Sequence, residues 1–276
     1  MWRRFRRHRL AVGSGIFLLL LVIAALAAPL VAPVDPLETN ITQLLKPPTS
    51  THWLGTDSAG RDVWSRTIYA TRISLSVGLV AVSLSMMIAL VLGSLSGYYG
   101  GKIDMLIMRL TDLIMCIPNL IFIVVVVTAV GSSFFNVMVV IGLLGWPSMV
   151  RLLRGQILSV REREFVIAAQ CVGVPARQIM ISHILPNSFG PLLVAATFRV
   201  AGAILTEAGL SFLGFGVLPP TPSWGNMLNQ ARSYRILGSS PWAWIPPGVM
   251  ILVTVMAINF VGDGIRDAID PRHRDV

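Results

Sequence analysis

Charged residues and cysteines are both scarce in this chain. Only 13% of its residues are Asp, Glu, Lys or Arg, against about a quarter in soluble globular domains. With 54% hydrophobic residues, this balance excludes an ordinary soluble domain and indicates a protein that crosses a membrane several times. The two cysteines, Cys116 and Cys171, are too few for a disulfide framework and lack metal-site spacing, so we expect them to be buried small side chains.

The motifs of several enzyme classes are also missing. HExxH and GxSxG are absent, and the four histidines lie outside the apolar stretches, so we expect no catalytic residue and no metal site. A glycine-rich run ends at Lys102, but Ile103 stands where a phosphate-binding loop needs Ser or Thr. We therefore expect that the chain is not an enzyme and binds no cofactor itself.

Long apolar runs predict an all-α membrane protein with six transmembrane helices. The predicted order is a cytoplasmic N-terminus at 1–9, a first span at 10–34, an extracytoplasmic segment with an interfacial helix at 35–72, five further spans within 73–262, and a cytoplasmic tail at 263–276. Inside the 73–262 region, the loop at 151–186 is expected on the cytoplasmic side and the loop at 216–242 on the opposite side.

The distribution of basic residues supports this orientation. Of the 22 Lys and Arg residues, fifteen fall in the segments predicted to be cytoplasmic and six in the outer ones, while Arg199 lies within a span. An excess of Lys and Arg on the cytoplasmic side is the usual pattern of multi-pass membrane proteins. The net charge of +9 is therefore explained by membrane orientation, and no nucleic-acid partner is expected.

The loop at 151–186 is charged and helix-forming, unlike the apolar sequence around it. Its first half predicts a helix over 162–172, stopped by Gly173, which can adopt a left-handed conformation without a Cβ clash. Pro175 then predicts the start of a second helix, which runs to Leu185 and ends at Pro186. Two helices that are joined by a glycine hinge and exposed beside a membrane are suited to contact with another protein.

Three polar residues within the apolar spans are candidates for a translocation path: Asn119, Arg199 and Glu207. An Arg or Glu at a lipid-facing helix centre costs roughly 2.5 to 3.5 kcal/mol, so both should face protein or water. They are eight residues apart, about 12 Å along a helix, which is too far to pair. Either they line a polar path, or each is neutralised by another helix or subunit. Pro118 and Pro147 predict breaks or kinks in the third and fourth spans.

The spacing of the 151–186 loop resembles the coupling loop of ABC importer permeases. The match consists of Ala168-Ala169, three residues, Gly173, eleven residues and Leu185-Pro186, while Ile167 and His183 depart from the usual pattern. In that family the loop docks into cytoplasmic ATPase subunits. The resemblance implies that role for eight positions here: Glu164, Ala168, Ala169, Gly173, Pro175, Arg177, Leu185 and Pro186.

Three further runs resemble the second membrane subunit of dipeptide and oligopeptide importers. They are LGTDSAGRDVWSR at 54–66 with RISL at 72–75, PPTPSWGNML at 219–228, and GDGIRDAIDP at 262–271. The first run carries Ala70 where the family commonly has Gly. The resemblance therefore extends over most of the chain.

This resemblance implies a type I ABC importer permease fold in the cytoplasmic membrane, with both termini in the cytoplasm. Its implied partners are a homologous permease subunit, two ABC ATPase subunits or one fused ATPase, an extracytoplasmic substrate-binding protein and the lipid bilayer. ATP and Mg would be bound by the ATPases. The expected substrates are di- or oligopeptides, with nickel chelates, glutathione and haem as alternatives. A secondary transporter is a rival hypothesis, but Arg199 alone would be a poor proton carrier.

Overall fold

The computed structural model describes Phe5, Arg6 and residues 8–269. Within these residues the fold is helical, and the β-type pairing consists of an isolated bridge between Thr56 and Asp62. The rest of the basic N-terminal segment, and the last two residues of the 262–271 run, lie outside the described residues.

The helices vary widely in length. In chain order they are α1 Arg9–Leu26, α2 Ala28–Val31, α3 Val63–Tyr99, α4 Gly101–Cys116, α5 Asn119–Val130, α6 Phe134–Arg161, α7 Glu164–Cys171, α8 Ala176–Ile179, α9 Leu185–Leu213, α10 Trp224–Leu228, α11 Tyr234–Ser239 and α12 Ile245–Ile269. Short 3-10 turns cover Ile41–Gln43, Asn229–Arg232 and Pro241–Ala243, and a π-helical turn covers Met180–Ile184.

Five helical segments of the described chain are long and apolar enough to cross a membrane, and a sixth forms if α4 and α5 count as one span. Those two helices meet at an angle of 89°. The break lies at Pro118, because a proline disfavours the helical region for the residue before it, and Ile117 is extended with φ −91° and ψ 130°. The break predicted at Pro118 is confirmed, and it is much sharper than a kink.

Helix α3 is longer than the sequence predicts. The interfacial helix expected before residue 73 and the second span are one continuous helix, since no proline interrupts Val63–Tyr99. Its N-cap is Asp62, whose side chain accepts from the Ser65 N–H. The Asp57 carboxylate accepts from the N–H groups of Ala59 and Arg61 within the preceding loop.

Two other helix limits differ from the predicted ones. Helix α6 runs through Pro147 without interruption, so the break predicted there is wrong; the proline removes one N–H donor and the helix continues on both sides. Helix α12 continues to Ile269, so residues 263–269 of the predicted tail are helical and continuous with the helix of the last span.

The centre of the bundle is formed by α3, α6 and α9. Gly97 of α3 lets α6 approach closely, since a Cβ at this position would lie 2.8 Å from the Ile157 side chain. Gly93 faces Leu153 one turn away in the same manner, at 3.1 Å. Small residues that admit close helix approach are typical of helix packing in membranes. By contrast, Cys116 and Cys171 are exposed at the ends of α4 and α7, so the expectation that they are buried is wrong.

The loops at one end of the bundle pack into a cap, here called the loop end. Arg66 is 2% exposed and donates to the carbonyl of Pro36 at 3.0 Å, while its Nε lies 3.5 Å from Asp57 Oδ2. Asp57 also accepts from Arg61 Nε at 2.8 Å. The residues of the 54–66 run thus hold each other in a buried network of charges and carbonyls.

Trp224 inserts into this cap from the loop at 216–242, here called the second loop. It is fully buried and its Nε1 donates to the Thr67 carbonyl of α3 at 3.2 Å. Its helix, α10, begins with a capping box formed by Ser223 and Asn226. The 219–228 run therefore anchors the second loop on α3 through an indole ring.

We expect Trp224→Ala to lower the free energy of unfolding by about 3–5 kcal/mol, because it leaves a large cavity in place of a fully buried indole. Thermal unfolding of the purified chain in detergent measures this change. Trp53→Ala is the matched control, since that indole is 55% exposed and should matter little. Equal stability of the two variants would contradict the anchoring role of Trp224.

Candidate functional site

Residues 162–184 form a compact pair of helical segments at the opposite end of α3, here called the helix-pair module. The described ends of the chain lie at this same end: His8 Nε2 is 3.9 Å from Asp267 Oδ2, and a Cβ at Gly190 would lie 2.9 Å from Ile269. Helix α7 starts at Glu164 with Arg163 as its N-cap, two residues later than predicted, because α6 extends to Arg161.

Gly173 ends α7 in the left-handed conformation that the sequence predicts, with φ +81°. The Val174 N–H donates to the Ala169 carbonyl at 3.1 Å, and the Gly173 N–H donates to the Gln170 carbonyl at 3.0 Å. These two bonds form a Schellman motif, which satisfies carbonyls that the helix end leaves free. The angle between the two halves of the module is therefore fixed by hydrogen bonds around one glycine.

The second half of the module is not a separate helix. Helix α8 has four residues, and the π-helical turn Met180–Ile184 joins it directly to α9. In this turn the Leu185 N–H donates five residues back, to the Met180 carbonyl. The wider turn leads into Pro186 at the start of α9, where a missing N–H is tolerated. The prediction that Pro186 ends the second helix is therefore wrong, and the module continues into a span.

The module has a buried face and an exposed face. The buried face packs into the central core through three aliphatic side chains: Val166, Ile179 and Ile184. The exposed face carries apolar side chains with large accessible fractions: Phe165 at 39%, Ile167 at 48%, Val172 at 83% and Ile181 at 54%. Glu164, Ala168, Pro175, Arg177 and Pro186 are exposed too, whereas Ala169 and Leu185 are half-buried. An apolar surface held on a packed base is typical of a protein contact site.

Ion pairs connect α4 to the part of α6 that precedes this module. Arg154 of α6 makes two hydrogen bonds to the Asp104 carboxylate, each 2.5 Å long. Ser96 at the end of α3 donates to the same carboxylate, also at 2.5 Å. A second and more exposed pair joins Arg151 to Asp112 one turn before it. Because the bidentate geometry fixes direction as well as distance, α4 is held against α6 just before the module begins.

Two small cavities lie in the middle of the bundle, and Arg199 and Asn119 line both of them. One has a volume of about 90 Å³ and is bordered by Ser85 and Thr206 as well; the other has about 250 Å³ and is bordered by Pro118, Pro147 and Ser148. Arg199 is half-buried and donates to the Gly145 carbonyl of α6 at 2.5 Å. Its guanidinium thus lies beside the break between α4 and α5.

Glu207 lies elsewhere, fully buried near the loop end. Ser211 donates to Glu207 Oε1 at 2.6 Å, and Ser74 of α3 lies 3.5 Å from Oε2. The same serines bind the second loop: Val217 N–H donates to Ser211, and Trp224 N–H donates to Ser74. Glu207 is therefore hydrogen-bonded by hydroxyl groups of its own and a neighbouring helix, and the same serines hold the second loop in place.

The structure brings Asn119, Arg199 and both prolines together and places Glu207 apart from them. Their roles in translocation, and those of the module residues in coupling, stay predictions. Sequence reasoning missed the Asp104–Arg154 pair and the serines around Glu207. A serine on the face of an apolar span that carries a carboxylate, such as Ser211 four residues after Glu207, is a signal that could have indicated the latter.

Comparison with known proteins identifies the family. The sequence model described as binding-protein-dependent transport system inner membrane component matches residues 89–275. The chain belongs to this family. A second model, described as the N-terminal TM domain of oligopeptide transport permease C, matches residues 1–48. This transport permease is a multi-pass membrane protein, in agreement with its apolar helices.

Relatives of this permease align over nearly the whole chain. A protein of Brucella suis named as a peptide permease is 45% identical over 269 residues, covering 98% of this chain and 89% of its own. The glutathione transport system permease protein of Pectobacterium atrosepticum is 41% identical, covering 98% and 90%. The oligopeptide transport system permease protein of Bacillus subtilis is 37% identical, covering 98% and 88%.

We expect a double-mutant cycle of Asp104→Asn and Arg154→Gln to show a coupling energy of about 1 kcal/mol, because each variant alone breaks the same bidentate pair in this permease. Thermal unfolding of the single and double variants measures it. The matched control is the cycle of Asp112→Asn and Arg151→Gln, where side chains that are 46% and 45% exposed should couple by only a few tenths. Additive effects at Asp104 and Arg154 would show that this pair does not hold α4 to α6.

Proposed function

We propose that this chain is one of the two membrane subunits of an ATP-driven importer that takes up di- or oligopeptides. The observation that carries the proposal is the helix-pair module, because it exposes an apolar face and continues through the π turn into α9. A force applied at Arg177 would reach Arg199 along one continuous helical path, Ala176–Leu213. A continuous helix can act as a lever in this way only if a partner protein applies force to the module.

The partners that fit are cytoplasmic ATPases, which bind ATP and Mg and dock on the module. In this proposal the module end is cytoplasmic, which agrees with the excess of Lys and Arg there and places both described chain ends on that side. The loop end then faces the substrate-binding protein. A homologous permease subunit completes the path, and approach of the ATPases moves the module so that access to the path alternates between the two sides.

Peptides are the substrate class that the relatives' names favour, since they include oligopeptide, dipeptide and glutathione permeases. Glutathione is itself a tripeptide, so it is the second candidate and shares the same chemistry. Selection among these compounds would occur largely in the binding protein, which is a separate chain.

The test is reconstitution of the chain in membrane vesicles with a homologous permease, the ATPases and the binding protein. We expect ATP-dependent uptake of a labelled tripeptide, and ATP hydrolysis above the rate of the ATPases alone. Omitting this chain is the control and should abolish both. Uptake that persists when ATP is absent and follows an ion gradient would instead indicate a secondary transporter.

Gly173→Val is expected to reduce the peptide transported per ATP hydrolysed by about fivefold or more, since a β-branched residue at φ +81° is strained by about 1–2 kcal/mol. Open space surrounds Gly173, so the backbone conformation and not a clash causes the effect. Gly173→Asn is the matched control, because Asn tolerates the left-handed region. Both variants should be present in the membrane at wild-type levels. Normal transport by Gly173→Val would exclude the fixed angle of the module from the mechanism.

A further inference from the structure

The Arg199 guanidinium is a cation with unused hydrogen-bonding capacity at the centre of a span. It lies midway between Leu185 and Leu213, the two ends of α9. A guanidinium has five N–H donors, and among the described residues Arg199 uses them for one hydrogen bond, to the Gly145 carbonyl. In the part of the chain that the structure describes, no carboxylate lies at ion-pair distance from it.

The surroundings of Arg199 contain a few uncharged polar groups among apolar side chains. Among the described residues that line the two cavities, Ser85, Asn119, Ser148 and Thr206 contribute hydroxyl or amide groups, and none of the others is charged besides Arg199. Asn119 is also the first residue of α5, whose N-cap Pro118 provides no side-chain hydrogen bond. The positive end of that helix dipole therefore adds to the guanidinium charge. The cavities are therefore electropositive, and no described acidic side chain lines them.

Residues on α6 leave room for the guanidinium. A Cβ at Gly145 would lie 2.7 Å from Arg199 Nη2 and 2.5 Å from Ser85 Oγ, so glycine at this position admits both side chains. Ser85 donates to the Gly142 carbonyl at 2.7 Å and is thereby held beside the cavity. The cation is thus seated by its neighbours at the break between α4 and α5, where the two cavities meet.

We infer that Arg199 and Asn119 form a carboxylate site, which receives the C-terminal carboxylate of the transported peptide. The inference rests on the proposed function and adds the group by which the path itself recognises its substrate. A guanidinium offers two parallel N–H donors to the two oxygens of a carboxylate, and an amide side chain can donate to either oxygen. Every unmodified linear peptide carries this carboxylate, whatever its side chains, so such a site accepts many sequences and rejects peptides that lack the charge.

The test compares trialanine with its C-terminal amide in vesicles that contain the whole complex. The binding protein is loaded to saturation with each peptide in turn, so that its own preference does not enter, and initial uptake rates are measured. We expect the wild type to transport trialanine about tenfold faster than the amide, in keeping with the loss of one charge-assisted pair. Arg199→Gln should slow trialanine to the rate of the amide and leave the amide nearly unchanged.

Arg199→Lys keeps the charge without the planar fork, and we expect it to retain part of the preference for trialanine. Thr197→Val is the matched control: the Thr197 hydroxyl bonds its own helix at Leu193 and Val194, outside both cavities, and the variant should keep the wild-type ratio. ATP hydrolysis by each complex confirms that it has assembled.

Three results would overturn the inference. In the first, Arg199→Gln slows both peptides equally, which would make Arg199 a packing residue bound to Gly145. In the second, Arg199→Gln changes neither rate, which would place recognition elsewhere. In the third, the wild type transports both peptides at equal rates, which would show that the path does not recognise the carboxylate. Failure of the wild type to transport either peptide would instead overturn the proposed function, and the inference with it.

Discussion

Polar groups carried into an apolar bundle have to be satisfied by protein, because lipid offers them no hydrogen bonds. The structure meets this constraint in two different ways along α9. Glu207 is enclosed by hydroxyl groups of Ser74 and Ser211, and the same hydroxyls accept from the backbone of the second loop. Arg199 donates to one backbone carbonyl and lines two cavities. One charge therefore organises the fold, and the other remains available to a ligand.

The same constraint explains why the module can act on the centre of the bundle. Proline in a helix usually forces a break, but the π turn at Met180–Ile184 carries the backbone into Pro186 without losing continuity. The missing N–H of Pro186 therefore lies at the module end of α9, outside the apolar centre of the bundle. The Asp104–Arg154 pair joins α4 to α6, the helix that leads into the module from its N-terminal side. The break at Pro118, next to the cavities, is therefore connected to the module through α4 as well as through α9.

The sequence predicts those features that depend on a few neighbouring residues. The left-handed stop at Gly173 and the break at Pro118 follow from local backbone sterics, and both are present. Pro147 and Pro186 obey the same local rules, yet α6 continues through Pro147, and the π turn carries the chain through Pro186 into α9. The surroundings of Arg199 and Glu207 could not be predicted, since Gly145, Ser85 and Ser74 reach them from other spans. Local sterics fix the ends of helices, whereas tertiary contacts decide what each buried charge meets.

This division also separates two kinds of motif within the runs that resemble peptide importers. At the loop end, Asp57 pairs with Arg61 and Arg66, and Arg66 also donates to a backbone carbonyl. The Trp224 indole donates to the Thr67 carbonyl. These pairings all lie within the cap, so the identity of these residues is explained by the cap that they build. The helix-pair module is the reverse case: Val166 and Ile179 hold it from beneath, while Phe165 and Val172 remain open. A surface that is rigid beneath and apolar above loses little conformational entropy when a partner covers it, and therefore binds with most of its contact energy intact.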